Sequence, residues 1–419
     1  MLKLVNENSN FRNFLLFQTF SNIGGGIFGI FMMWAVHSQY QNPFYTGIAG
    51  LMFALPSAAS FIIGPYVDMR NKVKIIRAAC FAQVCAVALL LTVSNIYEPG
   101  VWFTHLMIFI VSVARIFDAP ARTSLLPKIV SGEDLIKANA LIRLVATVGG
   151  LGIGVLLYVM MYDGAGFEVV YGINTAVLFL ALIFSFFVRG KFQEAVENKI
   201  NFKAYFNELK VGLKFIKRGI MLHLMTAFVF MGLFANVSSV NLPMFAEVHT
   251  GSASGYILLV ALAVVGGVIG PYLSKIVGPK FELWKIFGLG YMLVGATRII
   301  FVNVIASDLS RALWIYVLYI GLGSTIGIFR QTFMQKYPPQ HIIARVDTVE
   351  TSVLSISAAA GALVGGIAGT LLPSVDMVFI IQGISCITIG LFLCLSKRVR
   401  KLPKISDVRP DEDLEPVQQ

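Results

Sequence analysis

"FDAPARTSLLPKIVSGEDLIKANAL", Phe117 to Leu141, lies between two long apolar runs yet carries two prolines, three acids and three bases. So many charges do not belong at the centre of a bilayer. The stretch therefore reads as a connection between two membrane spans, and the surrounding chain agrees. Of 419 residues, 57% are hydrophobic and 13% charged, with mean hydropathy +0.78; soluble proteins average roughly 45–50% and 25%. A span needs about 20 apolar residues. Such runs recur near 12–37, 45–67, 74–94, 101–123, 139–161, 168–188, 219–246, 254–277, 282–305, 311–336, 347–372 and 375–396. The chain is thus expected to be an all-α polytopic membrane protein with twelve transmembrane helices. No cleavable signal peptide is expected, because the first run is long enough to span and is not followed by a small-residue cleavage site.

The net charge of +11 follows the same topology. Lys and Arg gather in every second connection: Arg70, Lys72, Lys74 and Arg77; Lys128 and Lys137; the segment from Arg189 to Arg218; Lys275, Lys280 and Lys285; Lys336 and Arg345; and the tail from Lys397. The alternate connections, such as "SQYQNPFY", "NIYEPG" and "YDGAGFE", offer Glu98, Asp163 and Glu168 instead, with Arg311 almost their only base. This asymmetry predicts a multi-pass protein of the cytoplasmic (inner) membrane with both termini in the cytoplasm. It assigns the basicity to topology and not to a nucleic-acid partner. The four cysteines, Cys80, Cys85, Cys386 and Cys394, all fall inside spans and read as packing thiols.

An internal repeat is visible. "IGPY" occurs at Ile63–Tyr66 and, 206 positions later, at Ile269–Tyr272; Arg122 and Lys128 recur 208 positions on as Arg330 and Lys336. The glycine-rich "VGGLGIG" of the fifth run has its counterpart in "GALVGGIAG" of the eleventh. Two pseudo-symmetric six-helix bundles are expected, 1–188 and 219–396, joined by a cytoplasmic linker, 189–218. In the linker Phe202, Phe206, Leu209, Leu213 and Ile216 share one face of an amphipathic helix, apolar side toward the membrane surface. The tail, 397–419, is polar and acidic at its end, and disorder is expected there.

The opening stretch becomes the inner end of span four, a short corner and the start of span five, with Ser131 and Asp134 in "SGED" marking a helix start. Arg115, Asp118 and Arg122, spaced by three and four, share one helical face at the mouth of the bundle. With Asp68 and Arg70 of the second-to-third connection they form a candidate cytoplasmic latch, in which charge pairs exchange protein partners for water.

At these residues the chain resembles the major facilitator superfamily, and within it the branch of macrolide-efflux and enterobactin-exporter-like transporters. "NFLLFQTFSNIGGGIFG" (13–29) resembles that branch's first helix, and "GPYVDMRNKVK" (64–74) the superfamily's signature loop. Pro120, Ala121, Arg122, Leu126, Pro127, Leu135, Ala138 and Asn139 match its P-A-R corner, and "NLPMFAEVHTGSASGY" (241–256) its seventh-to-eighth junction. The resemblance implies two six-helix bundles of inverted three-helix repeats, a substrate cavity near the midplane lined by spans one, four, seven and ten, and rocking alternating access. Three departures stand out: Met69 replaces an arginine of the signature loop, Gly25 an acid common in the first span, and Gly150 a proline of the antiporter motif.

Ionisable groups within spans are functional candidates. His105, Glu247, Arg298 and Glu350 are candidates for proton coupling. Glu350 is also open to pairing with Arg143 across the equivalent fifth and eleventh spans, and Arg298 to a structural pairing or an anionic-substrate contact. Gln18, Ser21, Asn22, Phe109, Ser112, Phe234, Asn236, Ser239, Asn241, Ser324 and Thr325 are the candidate substrate-cavity residues. Neutral hydrogen-bonding groups among aromatics suit a bulky, largely apolar ligand, while the alternative role of the small polar ones is helix packing. The chain has no G-x-x-x-x-G-K-[ST] loop, no cluster of metal ligands and no nucleophile–base pair. The expectation is thus a non-enzymatic, monomeric secondary transporter without cofactor or metal. Its partners are the lipid bilayer, a small-molecule substrate and a proton or ion gradient, and its cargo a lipophilic, drug- or macrolide-like molecule for efflux. The alternatives are a siderophore or lipid exporter of the same fold, and a membrane sensor or channel without alternating access.

Overall fold

The computed structural model describes residues 2–130, 132–162, 164, 166–189 and 202–410, and among these it is helical without strands. The helices are α1 (Leu2–Glu7), α2 (Ser9–Tyr40), α3 (Pro43–Ala58), α4 (Ser60–Asp68), α5 (Lys72–Ile96), α6 (Val101–Ile129), α7 (Gly132–Tyr162), α8 (Phe167–Phe187), α9 (Phe202–Ile216), α10 (Gly219–Ser239), α11 (Leu242–Thr250), α12 (Ala253–Val277), α13 (Leu283–Ile305), α14 (Leu309–Lys336), α15 (Ile343–Leu371) and α16 (Val375–Leu395). Ten membrane-length apolar helices lie among the described residues. The second expected span is divided into α3 and α4 just after Pro56, and the seventh into α10 and α11 at Val240 and Asn241.

The chain forms two compact units, residues 1–200 with 251–258, and 201–250 with 259–419. In the first, α2 packs on α7 and α8, α5 on α6 and α8, and α3 on α6. Residues 251–258 join this unit. Tyr256 donates its hydroxyl to the Ile30 carbonyl at 3.2 Å and stacks on Trp34 with ring centroids 5.9 Å apart. In the second unit α13 packs on α14 and α16, and α10 on α15 and α16. Each has its own apolar core, around Phe14, Phe17 and Leu125 in one and Phe228, Phe287 and Phe333 in the other.

Helix starts follow local chemistry. Asn8, Asn42, Asn71, Asp308 and Ser374 each accept a backbone N–H one turn ahead or less. Asp308 lies outside the spans, and the Arg311 backbone N–H holds its carboxyl below the usual range. A depressed carboxyl supports the fold above its unfolded pKa and loses that contribution as pH falls through the lowered value.

Two expectations need correction, while the reading of the opening stretch as a helix end, a short connection and a helix start holds: α6 continues through Pro120 and Pro127 to Ile129 and α7 starts at Gly132. Proline inside a helix costs about 3 kcal/mol, and burial of Ala121, Leu125 and Leu126 offsets it here. Ser131 lies outside the described residues. The linker helix α9 belongs to the second unit and buries Phe215 and Ile216, while Leu213 of the expected stripe is 37% exposed. Its Gly212 lies so close to the Arg345 carbonyl at the start of α15 that a Cβ would not fit. The side chains of Phe202 and Phe206, and residues 190–201, lie outside the described part. The tail is not disordered from Lys397: short 3-10 turns at Val399–Lys401 and Ile405–Asp407 are ordered, and Val399 and Leu402 are buried in the second core. Leu283 N–H donates to Pro403 O at 3.0 Å and Lys336 Nζ to Ile405 O at 3.2 Å. Two buried apolar side chains outweigh the polar composition that suggested disorder. Residues 411–419 lie outside the described part.

Backbone proximity sets the seam between α13 and α16. A Cβ on Gly383 would stand 2.6 Å from Ile299 Cγ1 and 3.0 Å from Gly295 O, whereas Gly327 on α14 has open space around it. Gly383→Ala is therefore expected to destabilise the protein by about 1–3 kcal/mol and lower its thermal midpoint in detergent, while Gly327→Ala leaves it unchanged or slightly raised.

Candidate functional site

The charged face predicted on α6 exists, and it meets α2. Arg122 donates Nε to Asp118 Oδ1 at 2.8 Å and pairs Nη2 with Oδ2, and it also donates to Ser21 Oγ and, at 3.3 Å, to Asn22 Oδ1. Its guanidinium lies 4.5 Å from the Phe17 ring centroid. Two turns earlier on α6, Arg115 Nη1 donates to the Gly25 carbonyl at 3.1 Å. A Cβ on Gly25 would stand 2.9 Å from that same nitrogen. Glycine at this position thus makes room for the Arg115 head, and the residue as a whole remains exposed. Arg70 does not reach this cluster: it is exposed and lies over the Tyr66 ring at 5.5 Å. The Asp68 side chain lies outside the described part.

The second unit repeats the arginine with a different acid. Arg330 pairs with Glu350 of α15, not with an acid of its own helix, and lies 5.8 Å from the Phe228 ring on α10. Glu350, one of the candidates for proton coupling and for a pair with Arg143, is thus held by Arg330. The 208-residue repeat already aligned Arg330 with Arg122. The missing signal was that the acid comes from a neighbouring helix.

The other candidates are scattered. His105 is buried, its Nε2 2.9 Å from Tyr45 O and Nδ1 2.6 Å from Val101 O. The neutral ring satisfies one of these carbonyls and the imidazolium both. Glu247 is half-buried on α11, two residues from His249, which bonds Asp376 at 2.8 Å. Gln18 is buried with Oε1 unpartnered. Ser112 bonds Ile108 O and Asn236 bonds Gly232 O within their own helices, both at 2.8 Å. Asn241 is fully buried and its amide spans Val237 O and Gly365 O, each at 2.8 Å, tying the α10–α11 break to α15. Ser324 and Thr325 bond the glycine backbone of α12, at Gly267 O (3.1 Å) and Gly270 O (3.4 Å). These are packing contacts. Phe109 lies apart from Ser21 and Asn22, lining an apolar cavity of about 430 Å³ with Tyr66, Ala79, Val113 and Phe117. Phe234 is half-buried and Ser239 exposed.

Arg298 of α13 is 3% exposed. Its guanidinium lies 4.4 Å from the ring centroid of Phe379, 4.6 Å from Tyr319, 5.5 Å from Phe301 and 5.9 Å from Tyr316. A buried unpaired cation costs several kcal/mol, and a desolvated cation–π contact returns about 2 kcal/mol. The structural carboxylate partner considered for Arg298 is absent among the described hydrogen bonds and ion pairs.

The family model of the Major Facilitator Superfamily matches residues 14–346. The chain belongs to this superfamily of membrane transporters. It is 30% identical over 164 residues to the uncharacterized MFS-type transporter YjbB of Bacillus subtilis (strain 168), covering 38% of this chain but only 40% of the relative's length. It is 26% identical over 315 residues to the uncharacterized MFS-type transporter YkuC of the same organism, 68% of this chain and 69% of the relative. Among solved structures it is similar to the peptide transporter POT in complex with sulfate (TM-score 0.71, 12% identity, 95% of this chain and 96% of that one). It is also similar to the nucleoside transporter NupG (TM-score 0.68, 11% identity, 91% and 98%). At these identities the likeness establishes the fold.

Removing one partner of a buried pair leaves an uncompensated charge. Asp118→Asn alone is expected to cost about 3 kcal/mol, and adding Arg122→Gln to recover much of that loss. A double-mutant cycle of thermal unfolding checks the recovery.

Proposed function

We propose that the chain is a monomeric secondary active transporter of the bacterial cytoplasmic membrane, with both termini in the cytoplasm. It exports a lipophilic, drug- or macrolide-like molecule by alternating access in exchange for protons. The observation that carries this reading is the near absence of acid from the helices of the expected lining. Across α2, α6, α10, α11 and α14 there are two carboxylates, Asp118, which Arg122 occupies, and Glu247 at the outer end of the seventh span on α11. A pathway so poor in anionic groups suits an apolar or neutral cargo and does not favour a polycation. Asn22 and Ser239, exposed, and Phe234, half-buried, supply neutral and aromatic contacts.

With Asp118 and Glu350 held by arginines, the proton carrier in this reading is His105, whose ring faces two carbonyls. The Asp118–Arg122 pair serves as the latch at the basic end. A second reading, an anionic cargo such as a siderophore, draws support from Arg115, an exposed residue of α6 with no acid among its described hydrogen-bond partners.

Uptake into inverted vesicles, measured across dyes, macrolides and siderophores with and without a collapsed pH gradient, tests the proposal. Accumulation of a lipophilic dye or macrolide that disappears on collapse is expected. His105→Gln should abolish the gradient-driven part and spare gradient-free exchange. Uptake indifferent to the gradient contradicts proton exchange, and uptake restricted to siderophores selects the second reading.

A further inference from the structure

The interior of the second unit holds one charge that the transport reading leaves idle. Three helices each turn an i, i+3 pair toward it: Arg298 and Phe301 on α13, Tyr316 and Tyr319 on α14, Phe379 and Gln382 on α16. The rings cover the guanidinium with their electron-rich faces, but Nε and Nη1 are buried with no hydrogen-bond partner. A guanidinium cannot escape by losing its proton.

Gln382 shows a matching defect. It is 2% exposed, its Nε2 donates to the Tyr319 hydroxyl at 2.9 Å, and its Oε1 is buried without a partner. Turned end for end, the amide would accept from that hydroxyl and free an NH₂ donor beside Tyr319. Either way this cluster has hydrogen-bonding capacity that its own residues leave unfilled.

The neighbouring acids are committed elsewhere. Asp376, one turn before Phe379 on α16, bonds His249, and the Phe245 ring packs on Phe379 at 4.2 Å and on His249 at 4.5 Å. Glu350 pairs with Arg330. What the site lacks is a compact negative charge that accepts from Arg298 Nε and Nη1.

We propose that Arg298 and its aromatic surround form a binding site for a small monovalent anion, a carboxylate or a halide, seated against Nε and Nη1 inside the second unit. A planar fork of donors fits a carboxylate in bidentate fashion, and a halide would meet the same two N–H groups. The carboxylate would come from a small free organic acid and the halide from bulk salt. The inference is independent of the direction and coupling proposed above.

The test titrates the purified full-length protein in detergent with sodium chloride, bromide, acetate and benzoate, alongside Arg298→Gln, so that general salt effects cancel. The wild type is expected to show a thermal midpoint that climbs with the logarithm of anion concentration above a saturable threshold, and the variant no such climb. Protection by halides alone, by carboxylates alone or by both supports the site and names its source. An identical response of wild type and variant to all four salts overturns it. Should Arg298→Gln fail to fold, Arg298→Lys keeps the charge without the fork and is expected to bind the protecting anion about tenfold more weakly. Unchanged affinity in Arg298→Lys, or a wild type that no anion protects, overturns the site equally.

Discussion

Hydrocarbon tolerates a charge without a partner poorly, and much of this protein follows from that constraint. An unpaired buried ion costs several kcal/mol, so ionic side chains are mostly placed outside the spans or compensated close by, with Arg298, covered by aromatic rings alone, the exception. Placement produces the alternation of basic and acid-bearing connections along the sequence. Compensation produces the Arg122–Asp118 and Arg330–Glu350 pairs, each closed within its own unit. A unit whose charges pair internally keeps its electrostatics intact when its surroundings change.

The two halves meet the constraint by different routes. Arg122 takes its acid from one turn earlier on its own helix and spends its remaining donors on Ser21 and Asn22, so α6 is tied to α2 through neutral groups. Arg330 takes its acid from α15, so α14 and α15 are tied through charge. The aromatic under each arginine, Phe17 or Phe228, comes from the first long helix of its half. Glycine decides how closely these parts approach. Gly25 admits the Arg115 head, and the Gly295–Gly383 seam brings α13 and α16 together on either side of Arg298 and Gln382.

The fold was largely legible because apolar runs of membrane length leave few alternatives, and the spacing of Arg115, Asp118 and Arg122 announced their shared face. What stayed hidden depended on how helices rotate against one another. Ser324, Thr325 and Asn241 look like cavity residues by composition, but neighbouring glycines let them bond an adjacent backbone. Phe109 is on the expected helix but turned toward α4 and α5. Glu350 was open to pairing with Arg143 because their spans are repeat equivalents, whereas the helix that reaches it is α14. The docked segment after Lys397 was hidden by its polar composition, since its apolar anchors, Val399 and Leu402 with Ile405 and Val408 beside them, are few and scattered among charges. The cage around Arg298 did leave a trace, three i, i+3 pairs, but nothing in one dimension says that they converge.

The most direct measurement of the central claim, that intolerance of bare charge fixes the topology, is a labelling map with single cysteines after Cys80, Cys85, Cys386 and Cys394 are replaced. Positions Arg70 and Lys280 lie in basic connections, Ser307 lies in an opposite one, and Asn95 stands at the end of α5 next to another. A membrane-impermeant thiol reagent is predicted to reach Asn95→Cys and Ser307→Cys from one face of the membrane and Arg70→Cys and Lys280→Cys only from the other. A basic connection that labels together with Asn95→Cys or Ser307→Cys would contradict the account.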